Sequence, residues 1–147
     1  MPLPARAVTL WLLRLLTAAG LAVDAYVHAD LAGERDLVGD DISQGTLFRI
    51  EAGAASFAAL LVVLAATRVT WAVAFVVAAS ALGALLLYTY VDVGTLGPIP
   101  NMYEPVWYPE KTTAAVAEGV AVVTSLAGFL AVGRRRGAHR RRGGGGP

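Results

Sequence analysis

The chain has no cysteine, only two histidines and two methionines, and charged side chains at just 16% of its 147 positions. Without cysteine there is no disulfide scaffold, no thiol redox chemistry, no Cys-ligated zinc and no iron–sulfur cluster. The charged share falls well below the quarter or so usual in soluble domains. Intrinsic disorder of the bulk is excluded as well, because disorder needs high charge with low hydrophobicity. No hydrolase, kinase, P-loop or Rossmann motif occurs. What the chain does have is apolar surface, 56% of residues with a mean hydropathy of +0.60. A water-soluble globule of this size would expose too much of it, so the sequence reads as a small integral membrane protein.

Four apolar stretches, at about 7–29, 46–67, 69–91 and 112–133, each approach the roughly 20 residues that cross a hydrocarbon core. In lipid the backbone must satisfy its own polar groups, so each reads as a helix despite the abundance of Val. The predicted fold is all-α, a four-helix transmembrane bundle running up-down-up-down. Spans two and three are joined by almost nothing besides Arg68, which makes them a tight hairpin. The longer connections, 30–45 and 92–111, fall on the other side together.

Charge assigns the sides. Arg6, Arg68, Arg134, Arg135, Arg136, Arg140, Arg141 and Arg142 share one side with no acidic residue, whereas Asp30, Glu34, Asp36, Asp40, Asp41, Asp92, Glu104 and Glu110 face only Arg35 and Lys111. The positive-inside rule puts the arginine side in the cytoplasm, with both termini cytoplasmic and both long loops extracytoplasmic in the cytoplasmic membrane. Arg14, about two turns into the first span, is expected to snorkel to the cytoplasmic face. The five tyrosines fall at or beyond the outer interface, and Trp11 and Trp71 near the inner one, as amphipathic rings prefer. A second reading of the N-terminus stands open: Arg6, an apolar run and Val23-Asp24-Ala25 before Tyr26 resemble a signal peptide, although Arg14 and Asp24 fit that pattern poorly.

Ionisable side chains within spans are costly and usually face the bundle interior. Asp24 and His28 are four apart, hence on one helix face and about 6 Å apart along its axis. Glu51 and Glu118 are expected at similar depth to them in the outer half, with Asp92 capping the third helix just above and Arg49 in reach of Asp24 or Glu118. Asp24, His28, Arg49, Glu51, Asp92 and Glu118 therefore form the candidate ligand-binding or proton-relay set. Asp24, His28, Glu51 and Glu118 are the candidate ligands for Zn, Mn or non-haem Fe, although the Glu-x-x-His pairs of carboxylate-bridged di-iron bundles are absent. A quinone-like or cationic ligand is a third use. Against these stands the plain structural reading, in which the charges are hydrated near the interface or paired to fix packing. No catalytic residue is assigned.

The second loop, DVGTLGPIPNMYEPVWYPEK, carries four prolines and reads as a stiff, extended connection. Its Tyr103, Trp107 and Tyr108 either lie on headgroups or fold over the bundle mouth as a lid. Ser43 reads as the N-cap of the second helix. Asp40 and Asp41 in the acidic first loop match no EF-hand spacing. The tail 134–147 is basic and Gly-rich, expected to be disordered and to lie on anionic lipid headgroups through Arg134, Arg135, Arg136, Arg140, Arg141 and Arg142. Lacking a folded platform, it is not read as a nucleic-acid binder. Small residues at spacings of four, among them Gly53 with Ala54, Ala55, Ala58 and Ala59, Ala79 with Gly83, and Ala117 with Ala121, favour close helix packing and allow a homo-oligomer or a membrane-protein partner.

The run TLGPIPNMYEPVWYPEK leading into an Ala-rich fourth span, with the acidic first loop, resembles a group of uncharacterised small multi-pass membrane proteins of actinobacteria. In architecture alone the chain is similar to the DoxX-like four-helix membrane proteins. These resemblances imply a four-span fold and no activity. The functional expectation is an accessory or small-ligand-binding membrane protein with a polar site in the outer half of the bundle. The alternative is an oxidoreductase-like or metal- or proton-handling protein.

Overall fold

The computed structural model describes residues 4–39 and 41–142, with side chains described through residue 133. Asp40 and the side chains of Arg134, Arg135, Arg136, Arg140, Arg141 and Arg142 lie outside the described residues. Four helices, α1 (Ala5–Ala32), α2 (Gln44–Leu64), α3 (Arg68–Tyr90) and α4 (Pro109–Arg142), are each long and apolar enough to cross a membrane. No strand occurs among the described residues, only an isolated bridge between Leu96 and Ile99.

Helix ends follow local chemistry. Ser43 caps α2, its hydroxyl accepting from the Thr46 amide at 3.0 Å. Thr67 and Thr70 form a reciprocal capping box that starts α3 at Arg68. This box sets the hairpin: α2 stops at Leu64 and residues 65–67 are not helical, a few residues short of the expected span. Pro109 opens α4, where a missing N–H costs nothing. At its other end α4 runs to Arg142.

α1 packs on both α2 and α4, and α3 closes the ring against α4 and α2. Contacts join opposite ends of neighbouring helices. Arg6 at the start of α1 donates to Ala131 O at 3.1 Å near the end of the α4 span, and Arg14 donates to Val62 O at 3.0 Å and to Val63 O at the end of α2. Arg14 thus caps the last carbonyls of α2, which have no intrahelical partner, at the hairpin end of the bundle.

The core is mostly alanine, with Leu21, Val62 and Trp71 as its large members. Trp71, in the first turn of α3, is fully buried. It lies where Gly128 of α4 leaves room; a Cβ there would come within 2.5 Å of the indole ring. Gly20 plays the same part between α1 and α4, since a Cβ would lie 2.6 Å from Ala117 O. Ala55, Ala58, Ala117 and Ala121 are buried as their spacing suggested, but Gly53 and Gly83 face outward. Between α1 and α4 the buried hydroxyls of Thr17 and Thr124 meet at 2.7 Å, while Thr124 also donates to Val120 O.

Candidate functional site

The carboxylates and the imidazole of the spans, Asp24, His28, Glu51 and Glu118, gather at the end of the bundle that carries the two long connections, whereas Arg14 reaches the opposite end. The i,i+4 spacing on α1 holds Asp24 and His28 on one face, and their separation is short: His28 Nδ1 lies 2.8 Å from Asp24 Oδ1 and 3.1 Å from the Asp24 main-chain oxygen. The close α1–α4 packing then brings in Glu118. One ligating atom from each of Asp24, His28 and Glu118 lies within 4.8 Å of the other two. Asp24 is 0% and Glu118 1% exposed, and apart from the ionic contact of His28 Nδ1 with Asp24 Oδ1 their four carboxylate oxygens have no polar partner in hydrogen-bonding geometry among the described residues. Buried carboxylates left like this cost several kcal/mol unless a positive group joins them.

His28 and Glu51 face a cavity of about 310 Å³ walled by all four helices. That volume lies at the lower edge of ordinary small-molecule pockets. Phe48, Leu85, Tyr88 and Tyr108 give it an apolar and aromatic lining, and Ser80, Glu104 and Lys111 add polar groups. The His28 ring stands edge-on to Phe48, centroids 5.2 Å apart. Glu51 Oε1 is buried with no hydrogen-bond partner. Glu118 is outside the lining, so His28 is the one member of the buried trio that reaches the cavity.

The second loop covers this cavity. Leu96 and Ile99 exchange two main-chain hydrogen bonds of 3.0 Å around Gly97-Pro98, and Gly97 takes φ +58°, a conformation that favours glycine. Beyond that turn the chain is latched at several points. The Glu104 amide donates to Tyr88 O at 2.9 Å. Arg35 donates to Glu104 Oε2 at 3.0 Å and Oε1 at 3.3 Å, and the Tyr108 hydroxyl donates to the same carboxylate at 3.3 Å. Gln44 Nε2 donates to Asn101 O at 2.9 Å, and the buried Lys111 ammonium donates to Glu104 O and Val106 O. Burial, with the adjoining Glu104 carboxylate second, raises the Tyr108 phenol above its ordinary range.

Several expected positions fall elsewhere. Arg49 is exposed and pairs with Asp36 at 2.5 Å, away from Asp24 and Glu118, because the first loop brings an acid to it first. That guanidinium holds the Asp36 carboxyl below the usual carboxylate range. Asp92, expected just above the layer at the end of the third helix, stands just past the end of α3 and organises the loop, accepting from Asn101 Nδ2 at 2.9 Å and Gly94 N at 3.1 Å. Of the three aromatics read as a lid, Tyr108 lines the cavity, whereas Tyr103 and Trp107 are exposed and Trp107 leans on Tyr90. Met102, Glu104 and Lys111 take the covering role instead. The only sequence signal for this latch was that Arg35 and Lys111 were lone cations among acids; both turn out to be bonded to Glu104.

The chain matches no protein-family model, no curated protein and no solved structure.

Proposed function

We propose that this multi-pass protein of the cytoplasmic membrane, with cytoplasmic termini and extracytoplasmic loops, binds a small ligand in the covered cavity. The ligand has an apolar body and a cationic or strongly hydrogen-bond-donating head. One observation carries the reading: the cavity is mostly apolar and aromatic, yet it holds a buried, unpartnered Glu51 oxygen beside His28. A partly buried carboxylate attracts a cation more strongly than a fully exposed one, and the aromatic walls favour the same charge. The resemblance of the second loop to the actinobacterial group supports the fold and adds no activity.

Benzyltrimethylammonium and its neutral carbon isostere neopentylbenzene are suitable probes. The cation raises the unfolding temperature of the detergent-purified protein saturably and the isostere does so less; Glu51→Gln removes the difference. Ala81→Phe, which fills the cavity from α3, abolishes both responses. A wild-type protein indifferent to both compounds, or shifts that survive Ala81→Phe, overturns the reading.

A further inference from the structure

We infer that Asp24, His28 and Glu118 form a binding site for one divalent first-row transition-metal ion at the floor of the bundle's loop end. The inference rests on buried groups other than those that carry the cavity reading, and shares only His28 with the cavity. On side chains 0% and 1% exposed, Asp24 Oδ2 and both Glu118 carboxylate oxygens have no hydrogen-bond partner among the described residues, and Asp24 Oδ1 has only the ionic contact with His28. They converge with an imidazole so that one ligating atom of each residue lies within 4.8 Å of the others. Two donors on the same ion at about 2.1 Å each stand roughly 3–3.5 Å apart. The 2.8 Å between His28 Nδ1 and Asp24 Oδ1 is already near that spacing, and modest side-chain rotation brings in Glu118.

Charge and donor type name the class of ion. Two carboxylates and a divalent cation sum to zero, the arrangement that costs least inside a membrane-spanning bundle. Hard oxygen donors with one imidazole and no sulfur suit Mn(II), Fe(II) or Zn(II), and the imidazole disfavours Mg(II) and Ca(II), which take oxygen ligands. Glu51 stands outside the trio, which reduces the four-residue set expected from the sequence to three. Three protein ligands leave at least one coordination position, and His28 is where the site meets the cavity.

The test uses the full chain purified in detergent, stripped with a chelator and titrated separately with Zn(II), Mn(II), Co(II), Mg(II) and Ca(II) by calorimetry, with the visible absorption of Co(II) reporting its ligands. The expected result is one equivalent of transition metal, with Mg(II) and Ca(II) bound far more weakly. Outer-shell partners of a metal are worth 10–100-fold in affinity, so removing a direct ligand by Glu118→Gln or Asp24→Asn should lower affinity by about a hundredfold or more. Glu51→Gln should change it less than about tenfold. Metal-free Glu118→Gln is expected to unfold no lower than the metal-free wild type, since it removes an unpartnered buried charge; His28→Ala, read by loss of the Co(II) spectrum, serves if that variant does not fold. No saturable uptake by the wild type, or uptake unchanged in Glu118→Gln and His28→Ala, overturns the site and leaves protons as the neutralising cations. Ala81→Phe separates the two readings, because it blocks the organic probe and leaves metal affinity unchanged.

Discussion

At the scale of single residues, the bundle depends on a few positions where volume or charge has one solution. Gly128 is such a position, because the Trp71 indole occupies the space a side chain would need. Gly128→Ala is expected to destabilise the protein by about 1–3 kcal/mol, the usual cost of overpacking, in thermal unfolding in detergent. Combining it with Trp71→Phe should recover part of the loss, since the smaller ring vacates the contact. Arg14 illustrates the charge side: its guanidinium fork serves two neighbouring carbonyls at the end of α2, which a lone ammonium would serve poorly.

At the scale of elements, the second loop behaves as a strap. Its prolines keep it from becoming helix or strand, so its order comes from the side chains of Arg35 after α1, Gln44 of α2 and Lys111 of α4, and from the Tyr88 main-chain oxygen of α3. Arg35 and Glu104 are the centre of that fastening. Arg35→Ala and Glu104→Gln should each raise amide exchange across 101–107, and the double variant should exceed the larger single effect only slightly, as two halves of one interaction do. The latch is also pH-dependent. Because the folded structure raises the Tyr108 phenol, its stabilisation is complete below the unfolded value of about 10 and is lost as pH rises through the higher folded value. Unfolding temperatures should drop over that range in the wild type, and Tyr108→Phe should lack this component.

For the whole molecule, the asymmetry of charge is the organising feature. The net charge of +1 hides a basic set of ends and an acidic set of loops. The cations on the loop side are bonded: Arg35 and Lys111 to Glu104, and Arg49 to Asp36. Because the chain has no cysteine, single introduced thiols report sidedness without background. Leu37→Cys, at a position 97% exposed in the first long loop, should react with a membrane-impermeant maleimide on intact cells, whereas Ala65→Cys in the α2–α3 hairpin should react only after permeabilisation. The reverse pattern would invert the proposed orientation and put the cavity mouth in the cytoplasm.

Much of this architecture was legible along the chain. The number of helices follows from apolar runs, the α2 start from Ser43, and the Asp24–His28 face from a spacing of four, because each depends only on neighbours within a turn or two. Arg49 marks where such reasoning ends. Its depth along the span placed it with Glu51, but its partner came from the folded first loop. The same holds for Trp71, whose depth the sequence suggested but whose inward packing was decided by a glycine on another helix. Glu118 meets Asp24 only because α1 and α4 pack closely where Gly20 admits Ala117, and Glu104 acquired its role only when the strap crossed the cavity. The sequence by itself therefore determined the helices, their approximate places along the chain and the sign of charge at each end, all sums over local residues. Which helix faces meet, and so which carboxylates share a buried site, was decided by tertiary packing, where volume and hydrogen bonding couple residues far apart in the chain.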